Sequence, residues 1–187
     1  GTPLYGYIAE GYWCDVGSLD AYRSAQYAAL SGEVALHHPY RERSPGVWVG
    51  DETFIDPSAI VESPVMIGDR CRIGARTRLE AGTIIGDNVT VGLNADLKHP
   101  IVWNGTVVGD EVRLIACVLG RGVRVERLAQ VLEGAVIGPL CTIGEEANVR
   151  PNIRVWPSKI IDPGATLNQN LIWGAVARRN LFGQRGV

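Results

Sequence analysis

A large apolar residue recurs every six positions through most of this sequence, and that repeat constrains the fold more than any other feature. It runs from Val49 to Leu167, with two five-residue steps, from Trp103 to Val108 and from Leu114 to Leu119. A fixed short period is the signature of a repeat architecture in which each unit packs on its neighbours. The repeating positions are Val49, Ile55, Val61, Ile67, Ile73, Leu79, Ile85, Val91, Leu97, Trp103, Val108, Leu114, Leu119, Val125, Val131, Ile137, Ile143, Val149, Val155, Ile161 and Leu167.

Two further columns accompany the apolar one. The residue after it is often glycine, as at Gly68 and Gly74, and the residue two before it is usually small, as at Cys71 and Ala135. One large and one small inward residue per six suit short strands joined by sharp corners, where glycine is favoured. The pattern predicts an all-β fold, a parallel β-helix of hexapeptide repeats. Its resemblance to left-handed β-helix proteins implies a left-handed turn, three hexads per coil and about seven coils.

Composition excludes several classes of function. The chain has 187 residues and a formal net charge of −2, which gives no electrostatic case for binding nucleic acid. No apolar run reaches the length of a membrane span, and no signal peptide is visible. Three of the four cysteines, Cys71, Cys117 and Cys141, lie in the small inward column, while Cys14 lies outside it. We expect buried structural thiols in a reducing compartment, and therefore a cytoplasmic protein.

The residues before the repeat predict a small appendage. Alternation over residues 3–9 indicates a strand, and Ser18 followed by helical spacing over residues 19–30, with Gly32 as a stop, indicates a helix. Residues 33–46 indicate a polar connector in which His37 and His38 are solvated. We therefore divide the chain into residues 1–32, a connector at 33–46, the β-helix at 47–174, and a linker at 175–187.

The block EGYWCDVGSLDAYRSAQYAALSG, residues 10–32, resembles the end of the catalytic domain of sugar-nucleotide pyrophosphorylases, which are nucleotidyltransferases. It is most similar to bacterial mannose-1-phosphate guanylyltransferases. In that family the W-x-D-x-G motif binds the catalytic Mg²⁺, which implies Asp15 as the metal ligand, with Trp13 and Gly17 as its frame. A single carboxylate suits Mg²⁺, which takes one or two together with substrate phosphates. From the residues alone, Asp15 could instead cap the turn before the helix.

The resemblance implies a parent protein that makes GDP-mannose, or another nucleotide sugar, and pyrophosphate from a nucleoside triphosphate and a sugar 1-phosphate. The glycine-rich nucleotide loop of that family does not occur in the sequence. We therefore interpret the chain as a piece of a longer polypeptide, inactive by itself. Its β-helix would serve as a scaffold and mediate homo-oligomers, for which Trp103 and Trp173 lie near expected surfaces.

Two alternatives come from other classes of protein. Many β-helix proteins are acyltransferases that use a histidine as general base, and His99 is the one histidine in the repeat region. A corner or surface histidine is the simpler interpretation, and a zinc site of three histidines is not possible there. The third hypothesis is an interaction module without activity. Neither alternative requires the block at residues 10–32.

The end of the chain carries two further resemblances. The stretch NIRVWPSKIIDPGATLNQNLIWG, residues 152–174, is similar to the same pyrophosphorylase family, and we expect Trp156 and Trp173 to close the end of the β-helix. The tail resembles the junction in fusion proteins, notably cyanobacterial ones, in which a phosphomannomutase-like domain follows. The resemblance thus implies a mutase domain as a possible neighbour.

Overall fold

The computed structural model describes residues 2–8, 10–34, 36–173 and, for the backbone only, 176–177. The chain forms two compact units, Gly1–His37 and His38–Val187. Among the described residues, no helix combines the length and apolar character needed to cross a bilayer.

The first unit contains helix α1, Leu19–Ser31. Ser18 precedes it in an extended conformation, and its hydroxyl oxygen accepts a hydrogen bond from the backbone N–H of Ala21 at 3.1 Å. Gly32, at φ 82°, ends the helix in the left-handed conformation that glycine adopts at little cost. The predicted helix is therefore confirmed, with both of its stop signals.

The strand predicted over residues 3–9 does not form in residues 2–8, which are irregular. Leu4, Tyr5, Tyr7 and Ile8 are each at least 89% exposed. Alternation gives a strand only where a neighbouring strand satisfies its backbone groups. No described strand pairs with this segment. Ala9 lies outside the described residues.

The second unit is a solenoid of three sheets, and within each sheet the strands of successive coils run parallel. Strands are numbered in chain order. Sheet A contains β1 Arg41–Ser44, β2 Val47–Val49, β5 Val65–Ile67, β8 Thr83–Ile85, β11 Ile101–Val102, β14 Val118–Leu119, β17 Val136–Ile137 and β20 Arg154–Val155. Sheet B contains β3 Phe54–Ile55, β6 Arg72–Ile73, β9 Thr90–Val91, β12 Val107–Val108, β15 Arg124–Val125, β18 Thr142–Ile143, β21 Ile160–Ile161 and β23 Val176–Ala177. Sheet C contains β4 Ile60–Val61, β7 Arg78–Leu79, β10 Asp96–Lys98, β13 Arg113–Ile115, β16 Gln130–Val131, β19 Asn148–Val149 and β22 Thr166–Leu167. One strand from each sheet makes a coil, and the described residues form about seven coils, as predicted.

The segment expected to be an irregular connector contains structure of its own. Strand β1 pairs antiparallel with β2 and covers the first edge of sheet A. Its charged sequence suits an edge that must not recruit another strand. His38 is not simply solvated, because its ring lies 3.9 Å from that of Trp48 between centroids. His37 is exposed, as expected.

The interior follows the predicted column with one correction. Val102 is 1% exposed and faces inward, whereas Trp103, the residue placed in the column from the sequence, is 43% exposed. The first five-residue step therefore runs from Leu97 to Val102. The corner between β10 and β11 is one residue shorter than the corresponding corner of the preceding coil, so Ile85 pairs with Val102 in the next coil. Both residues are apolar, so composition could not locate the step.

The small column and the glycine column are explained by close packing of the coils. Cys71, Cys117 and Cys141 are buried as predicted, and no disulfide forms among the described residues. A Cβ at Gly74 would lie 2.5 Å from the carbonyl oxygen of Gly92 in the following coil. Backbone cannot yield to such a contact, so the corner requires glycine.

The far end of the solenoid is closed differently from the prediction. Leu171 bridges to Val155 and packs on the core, while Trp156 is 54% exposed and Trp173 is 85% exposed. The expectation that the two tryptophans close the end is therefore wrong. An aliphatic side chain fits above the inward column, whereas an indole at a corner points outward. Strand β23, inside the predicted linker, extends sheet B. Residues 178–187, which include most of the tail, lie outside the described residues.

Candidate functional site

Asp15 lies in the irregular segment directly before α1, and its side chain is exposed. The N-cap of α1 is Ser18, so the capping hydrogen bond of the helix does not involve Asp15. Gly17 is close to the carboxylate, since a Cβ there would stand 3.5 Å from Asp15 Oδ1. Trp13 is 84% exposed and does not form a packed wall beside it.

This arrangement fits Mg²⁺ only if groups other than this chain's side chains supply most of the ligands. No group of three or more His, Cys, Asp or Glu side chains in the described part of the chain could hold a metal by itself. One accessible carboxylate is nevertheless what a Mg²⁺ ion uses when phosphate oxygens and water complete its shell. Asp15 could thus supply one ligand, and the remaining oxygens would come from substrate.

His99 lies at the corner between β10 and β11, with φ 55° and an exposed side chain. Its ring stands over the preceding coil, where a Cβ on Gly82 would be 3.3 Å from His99 Cγ. A general base must reach a bound acceptor group within hydrogen-bond distance. His99 does not line the open cleft found on sheet B.

That cleft is an open depression of about 470 Å³ on the outside of sheet B, over its later coils. Its lining residues are Glu126, Arg127, Thr142, Gly144, Glu145, Ile160, Ile161 and Pro163. Arg127 Nη1 lies 3.0 Å from Glu145 Oε1, and Arg127 Nε lies 3.3 Å from Glu111 Oε1. The hydrogen bond to Glu145 raises the pKa of the Arg127 guanidinium. The six-residue period concerns inward positions, so it gave no signal for this outward feature.

Acidic residues stack along the corner between sheets A and B. The backbone N–H of Asp51 donates to Asp69 Oδ1 at 2.8 Å, and that of Asp69 donates to Asp87 Oδ1 at 2.9 Å. The backbone N–H of Asp87 in turn donates to Asn104 Oδ1 at 3.1 Å. The Tyr40 hydroxyl also donates to Asp87 Oδ1, at 2.8 Å. We call this set the corner ladder. The carboxylates of Asp69 and Asp87 each accept a backbone hydrogen bond from the coil before, so the ladder is structural.

Three stacked parallel sheets and a six-residue period define the class of parallel β-helix proteins. Residues 44–149 match the family model described as the EIF2B subunit epsilon LbH domain, where LbH denotes the left-handed β-helix. This match covers more than half of the chain, so the chain belongs to that family. The predicted left-handed β-helix is thus confirmed.

A solved structure agrees on the fold. UDP-N-acetylglucosamine acyltransferase from Campylobacter jejuni is similar with a TM-score of 0.52 and 14% identity, covering 77% of this chain and 71% of that enzyme. The acetyltransferase domain of PglB from Neisseria gonorrhoeae gives a TM-score of 0.32 and 19% identity, covering 70% of this chain and 53% of that domain. The match to the Campylobacter jejuni enzyme, at 14% identity, indicates shared architecture only. No curated protein sequence matches the chain.

Proposed function

We propose that the chain is the C-terminal part of a nucleotidyltransferase that joins a sugar 1-phosphate to a nucleotide and releases pyrophosphate. The observation that carries the proposal is the order of two features along the chain. The W-x-D-x-G block and its helix α1 stand directly before a solenoid of a nucleotidyltransferase-related β-helix family. In its most specific form, the proposal is a cytoplasmic mannose-1-phosphate guanylyltransferase that makes GDP-mannose, of the kind fused to a phosphomannomutase-like domain.

In this proposal Asp15 would hold the catalytic Mg²⁺, and phosphate oxygens of the substrates would complete its coordination. When bound, Mg²⁺ neutralises the charge that develops on the phosphates during attack on the α-phosphate. Asp15 is suited to this role because its side chain is exposed and Ser18 makes the capping bond of α1. Gly17 lies beside the carboxylate, since a Cβ there would be in van der Waals contact with Asp15 Oδ1.

The solenoid serves as a scaffold that associates with other copies. The solenoid offers broad outer sheet faces, and exposed Trp103, Trp156 and Leu140 lie along one corner of it. Its described residues hold no metal cluster, and its cleft contains carboxylates and arginine without histidine. These features suit positioning and association better than chemistry.

The test is pyrophosphate release by the full-length protein with Mg²⁺, GTP and mannose 1-phosphate, compared with other nucleotide and sugar pairs. We expect Asp15→Asn to lower kcat by roughly 100-fold or more, because charge stabilisation at the reacting phosphate is a large catalytic term. Asp20→Asn is the matched control, since Asp20 is also exposed but pairs with Arg23 in α1. Equal activity of wild type and Asp15→Asn would contradict the metal role. Absence of pyrophosphate release with every pair would contradict the reaction.

The second candidate is a hexapeptide acyltransferase using acyl-CoA, with His99 as base. It is favoured by the shared architecture with an acyltransferase of Campylobacter jejuni. It predicts acyl transfer by this chain alone, lost in His99→Ala. His99 has an exposed corner position and does not line the cleft on sheet B, and these two observations favour the nucleotidyltransferase proposal.

A further inference from the structure

Asn104 is the one residue of the corner ladder whose side chain is an amide, and it directly precedes Gly105. This is the only Asn–Gly pair in the sequence. Asparagine is thermolabile, and a following glycine makes it more so, because no Cβ hinders the approach of the glycine nitrogen to the side-chain amide carbon. Both residues are exposed at the corner between sheets A and B. The pair is therefore a candidate site for deamidation.

Deamidation would convert Asn104 to an acid and release ammonia. The Gly105 nitrogen loses its proton and forms a bond to Asn104 Cγ. The bond from Cγ to Nδ2 then breaks, so that ammonia leaves and a five-membered succinimide ring remains. Water adds to one of the two carbonyl carbons of this ring and gives aspartate or isoaspartate. Water is the only co-reactant that the reaction needs.

Asp87, one coil earlier, binds the three groups that this reaction uses. Its backbone carbonyl oxygen accepts a hydrogen bond from the Gly105 N–H at 2.8 Å. Its backbone N–H donates to Asn104 Oδ1 at 3.1 Å, and its Oδ2 accepts from Asn104 Nδ2 at 3.2 Å. While these bonds hold, the Gly105 nitrogen keeps its proton and the amide of Asn104 stays fixed on Asp87. Attack on Cγ therefore requires this corner to open first.

We propose that Asn104 is a deamidation site which the corner ladder suppresses in the folded chain, and that reaction there breaks the ladder between the third and fourth coils. Aspartate at position 104 has no hydrogen to donate to Asp87 Oδ2, so two carboxylates would face each other where a donor and an acceptor now lie. Because ammonia is lost, the folded corner cannot restore the amide. The modification is thus a one-way change in the stability of the solenoid.

Isoaspartate would disturb the same corner through the backbone. It places Cβ in the main chain, so the chain at residue 104 becomes one carbon longer. The carbonyl oxygen of Asn104 accepts a hydrogen bond from the Gly122 N–H of the following coil at 3.1 Å. A longer main chain would not match this bond and the bonds to Asp87 at the same time. Both products therefore favour the open corner.

Other corner asparagines provide internal references. Three of them adopt the left-handed conformation, with φ between 52° and 61°: Asn88, Asn94 and Asn152. Each is followed by a residue that bears a side chain and is at most 7% exposed: Val89, Ala95 and Ile153. The attacking nitrogen is then hindered by a Cβ and belongs to an inward residue, whereas Gly105 is exposed. We expect these three asparagines to react much more slowly than Asn104.

The test is the rate of deamidation at each asparagine, measured by peptide mass spectrometry after incubation of the full-length protein with and without urea. In the urea-unfolded chain Asn104 should react first. In the folded protein it should react about tenfold or more slowly than in urea, because only the opened corner is reactive. Equal rates in the folded and unfolded protein would overturn suppression by the ladder. Equal rates at Asn104 and Asn94 in the unfolded chain would overturn the site.

A pair of variants tests the role of Asp87. Asp87→Ala removes the carboxylate that binds Asn104 Nδ2, so it should speed deamidation of Asn104 several-fold in the folded protein, together with hydrogen exchange of the Gly105 amide. Asp69→Ala is the matched control, because Asp69 Oδ1 accepts from the backbone of Asp51 in the same ladder. Both variants are incubated well below their melting temperatures, so that global unfolding does not contribute. Equal acceleration in the two variants would contradict the role of Asp87.

Asn104→Asp reproduces one product and tests its effect on the fold. Asn104→Ala is the control, since it also removes the donor to Asp87 but adds no charge. Asn104→Asp should melt at a lower temperature than Asn104→Ala at pH 7, and the difference should shrink in acid as the facing carboxylates are protonated. Equal or higher stability of Asn104→Asp would overturn the claim that the product breaks the ladder. None of these measurements depends on pyrophosphate release, which tests the nucleotidyltransferase proposal alone.

Discussion

Val102 and Trp103 are neighbours in the chain with opposite environments. Val102 is 1% exposed and pairs with Leu119 across sheet A, while Trp103 is 43% exposed at the following corner. A residue in a strand and the residue after it face opposite sides of the backbone, so a slip of one position exchanges core and surface. Substitutions at these two positions therefore test which residues belong to the inward column.

Replacing Val102 with Asp should destabilise the solenoid by at least about 3 kcal/mol, because the carboxylate would be buried without a partner. Trp103→Asp, one residue later, should cost no more than about 1 kcal/mol, since the new charge is solvated. Thermal and urea unfolding of the two variants give the comparison. A larger loss for Trp103→Asp than for Val102→Asp would restore the phase predicted from the sequence.

At the scale of an element, the corner ladder joins successive coils through hydrogen bonds to side chains, in addition to the hydrogen bonds between their strands. Asp87 accepts hydrogen bonds from the backbone of Asp69, from Tyr40 and from Asn104. The backbone hydrogen bond from Asp69, with smaller contributions from Tyr40, Arg70 and Asn104, lowers the pKa of the Asp87 carboxyl. Burial and the same carboxylate raise the pKa of Tyr40. Tyr40 thereby attaches residues near the start of the second unit to its coils.

This lowered pKa gives a pH-dependent stability. The folded pKa of Asp87 lies below its unfolded value of about 4, so its contribution is complete above that pH and is lost as the pH falls through the folded pKa. Asp87→Asn should be less stable than wild type at pH 7, and the difference in unfolding free energy should shrink below about pH 4. Tyr40→Phe should change the profile in the same direction by less. A constant difference from pH 7 to pH 3, measured by urea unfolding, would contradict this.

At the scale of the whole solenoid, each coil contacts only the coils before and after it. The ladder register shows this directly, since Ile73 pairs with Ile55 and Val91, and Ile143 pairs with Val125 and Ile161. Stability in such a fold is close to a sum of coil terms and nearest-neighbour terms. Damage should therefore remain local.

Ile73→Asp and Ile143→Asp place a buried charge in the second and sixth coils, where the wild-type side chains are at most 1% exposed. Each variant should lose amide hydrogen-exchange protection in its own coil and the adjacent ones, because an unpaired charge there is not solvated. The opposite end should keep protection close to wild type. Each variant is the positional control for the other. Uniform loss of protection along the chain in both would show global cooperativity instead.

The sequence by itself determined the class of fold and most of the core. Every inward column residue except Trp103 was predicted at its position, because a period of six over seven coils leaves few registers that bury all large side chains. Helix α1 was predicted because Ser18 and Gly32 act locally. Local signals of this kind do not depend on distant contacts.

Only the tertiary structure decided what depends on neighbouring coils. The five-residue step lies within residues 98–102, and strand β1 pairs with the edge strand β2. Residues 2–8 pair with no described strand, and Leu171 closes the far end of the solenoid. The tertiary structure also placed Phe54, Arg72 and Arg76 on one face with Glu145, although up to about 90 residues separate them in the chain. A repeat specifies which side of each strand faces inward. The contents of an outer face depend on stacking, which brings every third strand into the same sheet.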